Sequence, residues 1–378
     1  MTTGLNIAFF GSSLVSAYWN GAATYYRGLI RALHERGHRV TFYEPDAYDR
    51  QAHRDIDDPP WARVVVYSAD DTDELRQHLD AARDADLIVK ASGVGVFDEY
   101  LEAAVLELKR PGNLVAFWDV DAPATLERMA NRADDPFIAL APRYDMILTY
   151  GGGDPVVQAY RRFGAHACVP VYNALDPQTH HPTDPDPKFD ADLALLANRL
   201  PDREARIDRF FFDVACLLPH HRFLLGGNGW QDRTTSDNVR YLGHVYTHDH
   251  NAFNGTPLAV LNVNRESMVR FGFSPATRLF EAAGVGACLI SDAWAGLEQF
   301  LEPGREVLVA HDGQEVAEHL LRLTPAMARA IGQAGRRRIL AEHTYAHRAA
   351  QLETLLDAAP RDRAKRPLFP QDVVPPSR

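Results

Sequence analysis

Residues 271–304, "FGFSPATRLFEAAGVGACLISDAWAGLEQFLEPG", hold the repeating unit from which the fold follows. The segment 275–284 is rich in Ala, Leu and Phe and predicts a helix, with Ser274 as its cap and Pro275 in its first turn. "ACLISD" follows at once as a short apolar run of the kind found in buried strands. A helix that feeds directly into such a strand belongs to a parallel sheet.

The same alternation extends in both directions. Before it come "LNIAFF", "HRVTFYE", "RVVVYS", "DLIVKAS", "LVAFWDV" and "DMILTY", with a helix over 21–36 after the first. Residues 173–190, "NALDPQTHHPTDPDPKFD", interrupt the pattern with four prolines and predict an interdomain linker. The alternation then restarts with "DLALLAN", "HRFLLGG", "VRYLGHV", "PLAVLNV", "ACLISD" and "EVLVA", with a helix over 202–217. At 378 residues the chain exceeds one ordinary core of roughly 150 residues. The expected architecture is therefore α/β, with two Rossmann-like, doubly wound parallel-sheet domains facing a central cleft. Domain one is placed at 1–172, the linker at 173–190 and domain two at 191–343. A helix over 344–358, capped by Thr344, is expected to cross back to domain one, and 359–378 to form a disordered tail.

Composition narrows the function classes. Acidic residues outnumber basic ones, 51 to 40, and a net charge of −11 argues against nucleic acid or an anionic membrane as partner. No apolar run approaches the roughly 18 residues that a membrane helix needs, and the opening "MTTGLNIAFFGSS" lacks the basic region of a signal peptide. Cys168, Cys216 and Cys288 lie far apart without metal or redox spacing, so buried thiols in the cytoplasm are expected.

Candidate site residues cluster after strands, where such folds place ligands. Glu281 is one acid inside an otherwise apolar, small-residue helix, with Arg278 one turn earlier. A carboxylate there can accept both hydroxyls of a ribose while the helix amino terminus at Ser274 holds a diphosphate. The plainer alternative is an Arg278–Glu281 pair on a solvated face. Arg199 and Arg203 follow "LLAN" and can neutralise a diphosphate, or can be surface arginines. Gly227 and Asn228 lie in the turn "LLGGNGW", and the backbone at His244 and Val245 can line a base pocket. Gly11 and Ser12 form a loop after the first strand. Asp119 and Asp121, in "FWDVDAP", can orient or deprotonate an acceptor hydroxyl, or instead cap the helix of Thr125 or pair with Arg128. His248, Asp249 and His250 have metal-ligating side chains, but their spacing suits a loop, and no metal is expected.

Taken as a set, "GSSLVSAYWNGAATYYRGLIRALHERGHRVTFYE", "AFWDVDAPATL", "YDMILTYGGGDPVVQAY", "ANRLPDREARIDRFF", "TRLFEAAGVGACLISDAWAGLEQFLEPGREVLV" and "AEHTYAHRA" resemble the CgeB-like, spore-maturation type branch of the group 1 glycosyltransferases, over about residues 5–355. The resemblance implies the GT-B fold and transfer of a sugar from a nucleoside-diphosphate sugar to an acceptor hydroxyl or similar nucleophile, without metal or other cofactor. It assigns ribose binding to Glu281 and the diphosphate to a basic pair at Arg199 and Arg203. Relatives often carry a second Glu eight positions before the ribose ligand, whereas this chain has Phe273 there, so donor sugar and stereochemical outcome stay open. The acceptor class stays open too: small molecule, glycan or protein. Two other classes fit the same architecture, a non-catalytic nucleotide-sugar binding or scaffold protein and a nucleotide-sugar epimerase. Donor hydrolysis or transfer separates the first from an enzyme, and a changed donor sugar without acceptor identifies the second.

Overall fold

A computed structural model describes residues 4–18 and 20–359. Apart from Ala359, the expected tail lies outside the described residues. Two compact units divide the chain, one from the start to Tyr172 together with Arg348 onward, the other Asn173–His347.

In the first unit, seven strands lie in one parallel sheet: β1 (Asn6–Phe10), β2 (Arg39–Asp46), β3 (Arg63–Ser68), β4 (Leu87–Ala91), β5 (Leu114–Asp119), β6 (Met146–Thr149) and β7 (Cys168–Pro170). Their order is β3-β2-β1-β4-β5-β6-β7, so the winding reverses beside β1. Ile7 sits opposite Val40 on one side and Leu87 on the other, and β4 and β5 are buried along their whole length. Helices cover both faces of such a sheet, which is why these strands read as unbroken apolar runs. Lys90 is the exception on β4; its ammonium is neutralised inside the fold by Asp98 at 2.5 Å and Glu102 at 3.8 Å. β7 has three residues, "CVP", too short for the alternation to announce.

The helix Tyr345–Ala358 starts where Thr344 shares its hydroxyl with His347 Nδ1 at 2.7 Å. From Arg348 it belongs to the first unit: Gln351 Nε2 donates to Pro170 O at 2.9 Å, and Glu353 pairs with Arg36 and with His38 at 3.0 Å. Leu352 and Leu356 are its buried stripe.

The second unit has a six-stranded parallel sheet built from β8 (Leu193–Leu196), β9 (Phe223–Gly226), β10 (Val239–Tyr241), β11 (Ala259–Asn262), β12 (Leu289–Asp292) and β13 (Leu308–Ala310). The order β10-β9-β8-β11-β12-β13 puts its reversal between β8 and β11. The helical segment expected at 202–217 is continuous but changes pitch, with an i→i+5 turn over Asp208–Phe212 between Pro201–Ile207 and Asp213–Leu217. Phe210, Phe211 and Phe212 all reach the core through it. Cys168 and Cys288 are buried, but Cys216 is exposed near the end of that segment, contrary to the expectation of three buried thiols. Among the described residues, no helix is long and apolar enough to cross a membrane.

Candidate donor site

The Glu281 helix runs Thr277–Val285, two residues later at its start than the sequence predicts. Ser274 is not its cap. Its hydroxyl donates to Gly272 O at 2.9 Å, and the residue at the cap position, Ala276, has no side chain able to satisfy the first amides. The helix amino terminus therefore keeps free N–H donors, the requirement for holding an anion. The loop before it is shaped by Gly272 and Phe273, which both take positive φ, 69° and 48°. Phe273 N donates to Ala295 O at 2.6 Å, and its ring lies so close to Gly296 that a Cβ there would sit 2.2 Å from it. The small residues of "EAAGVG" serve protein packing rather than ligand approach. A Cβ on Gly284 would lie 2.3 Å from Leu175 of the linker, and one on Gly332 of the helix Pro325–Glu342 would lie 2.0 Å from Gly286 O.

Glu281 is 7% exposed. Its carboxylate lies 3.3 Å from Arg278 Nη1 and 3.7 Å from His180 Nε2, so it faces a buried ionic cluster and not a solvated surface. Burial alone would raise the Glu281 pKa, but Arg278 first, then His180 and His250, hold it down at about 2. Arg278 also donates to Asn254 Oδ1 at 3.3 Å, and its Nε is buried with no hydrogen-bond partner. His250 Nε2 meets Val245 O at 3.3 Å, while His250 Nδ1 and His180 Nε2 are buried without partners. The His180, His250 and Glu281 ligand atoms lie within 4.8 Å of one another. A divalent cation there would share Glu281 with the Arg278 guanidinium.

Burial, with Arg278 nearby, pushes His250 down from 6.5 to about 4. Above pH 6.5 the ring is neutral folded or unfolded. Between pH 6.5 and 4 the unfolded chain takes a proton that the native state refuses, so stability falls as pH falls across that window, by roughly 2–3 kcal/mol. Denaturant midpoints at pH 7, 5.5 and 4.5 should drop more for the native chain than for His250→Gln. Equal drops would remove His250 as the cause.

The remaining candidates separate. Arg203 has one guanidinium bond, Nη2 to Asn198 O at 2.7 Å, and a buried Nε without a partner. Burial lowers its pKa to about 10, and the charges of Arg265 and Arg278 push the same way against Asp202 and Asp292. Arg203 thus feels two further cations, each of which has a carboxylate partner: Arg265 meets Asp202 at 2.7 Å and Arg278 meets Glu281 at 3.3 Å. Arg199 does not belong to this group: it is held by Glu204 at 2.6 Å and Asp232 at 2.8 Å. Beside the cluster, Asp292 is fully buried at the end of β12 and accepts from Arg206 at 2.7 Å and from Asn264 N at 3.1 Å, fixing the strand ends around the loop. Gly227 is glycine for a fold reason, since a Cβ would lie 2.2 Å from Ala197 O. Asn228 contacts His244 Nδ1 at 3.4 Å; Val245 is buried, while Tyr246 is 61% exposed and stacks on His248 with rings 9° from parallel. His180, Asn254 and Arg265 carry no sequence signal for this role. His250, considered for a metal beside His248 and Asp249, instead joins Glu281.

In the first unit, Asp119 is fully buried at the end of β5. Its Oδ2 accepts from Tyr160 at 2.5 Å, and Oδ1 from Ser92 at 2.7 Å, Thr125 at 3.1 Å and Asp121 N at 3.1 Å. This carboxylate anchors the start of the Thr125 helix and is not available as a base; Arg128 pairs with Asp135 instead, at 2.9 Å. Asp121 is half-buried and offers the accessible carboxylate of the two. Gly11 packs against Phe42, and Ser12 donates to Asn20 Oδ1 at 2.9 Å. Asp119→Ala should cost about 3 kcal/mol or more of stability by stranding several buried donors. Asp121→Asn should leave the melting temperature within a degree or two. A thermal melt of both variants decides it, and equal melting temperatures would contradict the assignment.

Residues 203–354, less than half of the chain, match a family model described as glycosyl transferase-like. Among solved structures, sucrose-phosphate synthase from Thermosynechococcus elongatus superposes with a TM-score of 0.65 at 17% identity, covering 93% of this chain and 98% of that one. Anabaena Alr3699/HepE in complex with UDP and glucose gives 0.65 at 14%, covering 94% and 100%. An alpha-glucosyltransferase in complex with UDP-glucose and DNA containing an abasic site gives 0.69 at 11%, covering 94% and 100%. The fold is GT-B. None of the curated proteins searched matches the sequence. At these identities the GT-B neighbours establish architecture, and the residues of this chain must carry the chemistry.

Proposed function

We propose that this GT-B protein is a glycosyltransferase that moves a sugar from a nucleoside-diphosphate sugar, held by the second unit, to an acceptor nucleophile, held by the first. The observation that carries this is the pair of buried guanidinium Nε groups, of Arg203 and Arg278, that have no hydrogen-bond partner, together with a helix beginning at Thr277 that has no side-chain cap. A diphosphate would supply the partner that these two Nε groups lack. The neighbours solved with UDP or UDP-glucose support the same reading.

In the reaction, the bond from the sugar anomeric carbon to the diphosphate oxygen breaks with its electron pair leaving on the diphosphate. The acceptor oxygen bonds to that carbon and loses its proton, for which Asp121 is the candidate base. Charge grows on the leaving diphosphate, which Arg203, Arg278 and the uncapped amides after Ala276 would stabilise. Glu281 takes the ribose hydroxyls. The His244–Val245 backbone meets the base, with the exposed Tyr246 ring at its edge. We further propose that the chain is of the CgeB-like branch and acts in the cytoplasm on hexosyl or related donors without a separate cofactor, with guanidinium groups taking the role a divalent ion would otherwise have.

A thermal-shift series against UDP, GDP, dTDP and their sugars, each with and without chelator, tests this. One base should raise the melting temperature saturably and independently of chelator, with donor turnover on adding acceptor. No shift with any nucleotide would contradict the proposal, and a shift that vanishes with chelator would turn His180, His250 and Glu281 into a metal centre.

A further inference from the structure

The carboxyl edge of the first sheet carries a cation that the fold leaves unneutralised. Arg50 is 7% exposed, yet among the described residues its guanidinium makes only two long bonds, from Nη1 to Ser12 O at 3.3 Å and to Val94 O at 3.4 Å. Its Nε is buried without a partner, and among the described residues no carboxylate pairs with it. Glu44 is the acid whose charge it feels, but the Glu44 oxygens are already taken by Ser13 Oγ at 2.8 Å, Leu14 N at 2.6 Å and Gln51 Nε2 at 2.6 Å. The Tyr26 hydroxyl, fully buried, lies within the same electrostatic neighbourhood, with Ser12 as its side-chain neighbour. Arg50 lies in the loop after β2 and bonds to loop carbonyls after β1 and β4, while Tyr26 lies on the helix Ala23–Glu35 that follows β1, beside the point where the strand order reverses. Sheets of this kind bind ligands there.

Tyr48 completes the arrangement. Its ring lies 5.0 Å from the Arg50 guanidinium and is 55% exposed. The ring is fixed in place, since its hydroxyl donates to Gly95 O at 2.8 Å and a Cβ on Gly95 would lie 2.5 Å from it. Tyr48 and Asp49 both hold left-handed backbone, φ 57° and 55°, a conformation that Asp tolerates but that is uncommon for a bulky residue such as Tyr. An exposed aromatic face over a buried, unpaired guanidinium matches a sugar ring that bears a negative charge.

We infer that Arg50, Tyr26 and Tyr48 form an acceptor subsite for an anionic sugar, the guanidinium and phenol binding its carboxylate or phosphate and the Tyr48 ring packing on the sugar. This rests on the first unit being the acceptor domain. It narrows the acceptor from any nucleophile to a charged carbohydrate.

The test titrates the full chain with inorganic phosphate, glucose 6-phosphate, glucuronate and glucose, and separately with the nucleotide found by the donor screen. The native protein should bind an anionic sugar at least tenfold more tightly than glucose, and preference for glucuronate or for glucose 6-phosphate tells carboxylate from phosphate. Arg50→Met should erase that preference, leave the nucleotide Kd within about twofold, and melt no lower than the native chain, because it removes an unpaired buried charge. Tyr48→Ala, at an exposed position, should weaken the anionic sugar about fivefold or more and provides the readout if Arg50→Met does not fold. Anionic sugars that bind native protein no better than glucose, or a preference that survives both substitutions, would overturn the inference. Nucleotide binding without anionic-sugar binding sinks this inference alone; the reverse sinks the donor proposal.

Discussion

Arg203→Gln is expected to lower the rate of sugar transfer by roughly a hundred- to a thousandfold, the usual loss when one preorganised donor to a developing negative charge is removed. Gln keeps the bulk but has no positive charge to meet the leaving diphosphate. The effect should fall more on kcat than on KM, because the charge Arg203 meets grows as the bond breaks. Arg199→Gln is the control. Its guanidinium is spent on Glu204 and Asp232 at the surface, and exposed pairs contribute at most about 1 kcal/mol, so transfer should change less than about fivefold. Single-turnover rates with saturating donor measure both. Comparable losses would restore the two arginines to one shared role.

That contrast shows where the sequence was legible. The spacing in "LLANRLPDREARIDRFF" puts both arginines at the sheet edge, but only folding decides which neighbours neutralise which cation. Twelve of the thirteen strands among the described residues could be read from their apolar runs, longest where helices cover both faces of the sheet, and "CVP" escaped because three residues carry no period. Asp119 and Asp121 are alike in sequence. The burial of one beneath Tyr160 and Ser92 separates an anchor from a candidate base, and that is a tertiary fact. His180 lay within a proline-rich stretch that reads as linker, yet its backbone and Leu175 close on the gap left by Gly284. Ser274–Pro275 has the chemistry of a helix start, but the positive φ of Phe273 turns the Ser274 hydroxyl back to Gly272 and delays the helix to Thr277.

Glu281→Gln carries the second large effect, and it is double. A carboxylate held at about 2, against an ordinary 4.5, contributes stability that is present above pH 4.5 and lost as pH falls toward 2. Removing the charge at neutral pH also leaves Arg278 buried without its counter-ion, so the variant should lose on the order of 2–3 kcal/mol of stability. The stability loss comes from the ionic cluster of Arg278, His180 and His250 around the carboxylate. Nucleotide affinity should fall as well, by roughly ten- to a hundredfold, as two charge-assisted hydrogen bonds to the ribose weaken. Measuring affinity at a temperature where the variant is still folded keeps the two losses apart.

The most direct test of the donor site is a calorimetric cycle pairing native protein and Glu281→Gln with a ribonucleoside diphosphate and its 2′,3′-dideoxy form. If Glu281 holds the ribose, the dideoxy nucleotide binds native protein about as weakly as the normal nucleotide binds the variant, and combining the two changes loses little more, because both remove one contact. Losses that add in full, or a variant that binds the normal nucleotide as the native chain does, would make Glu281 a structural acid and move the donor elsewhere.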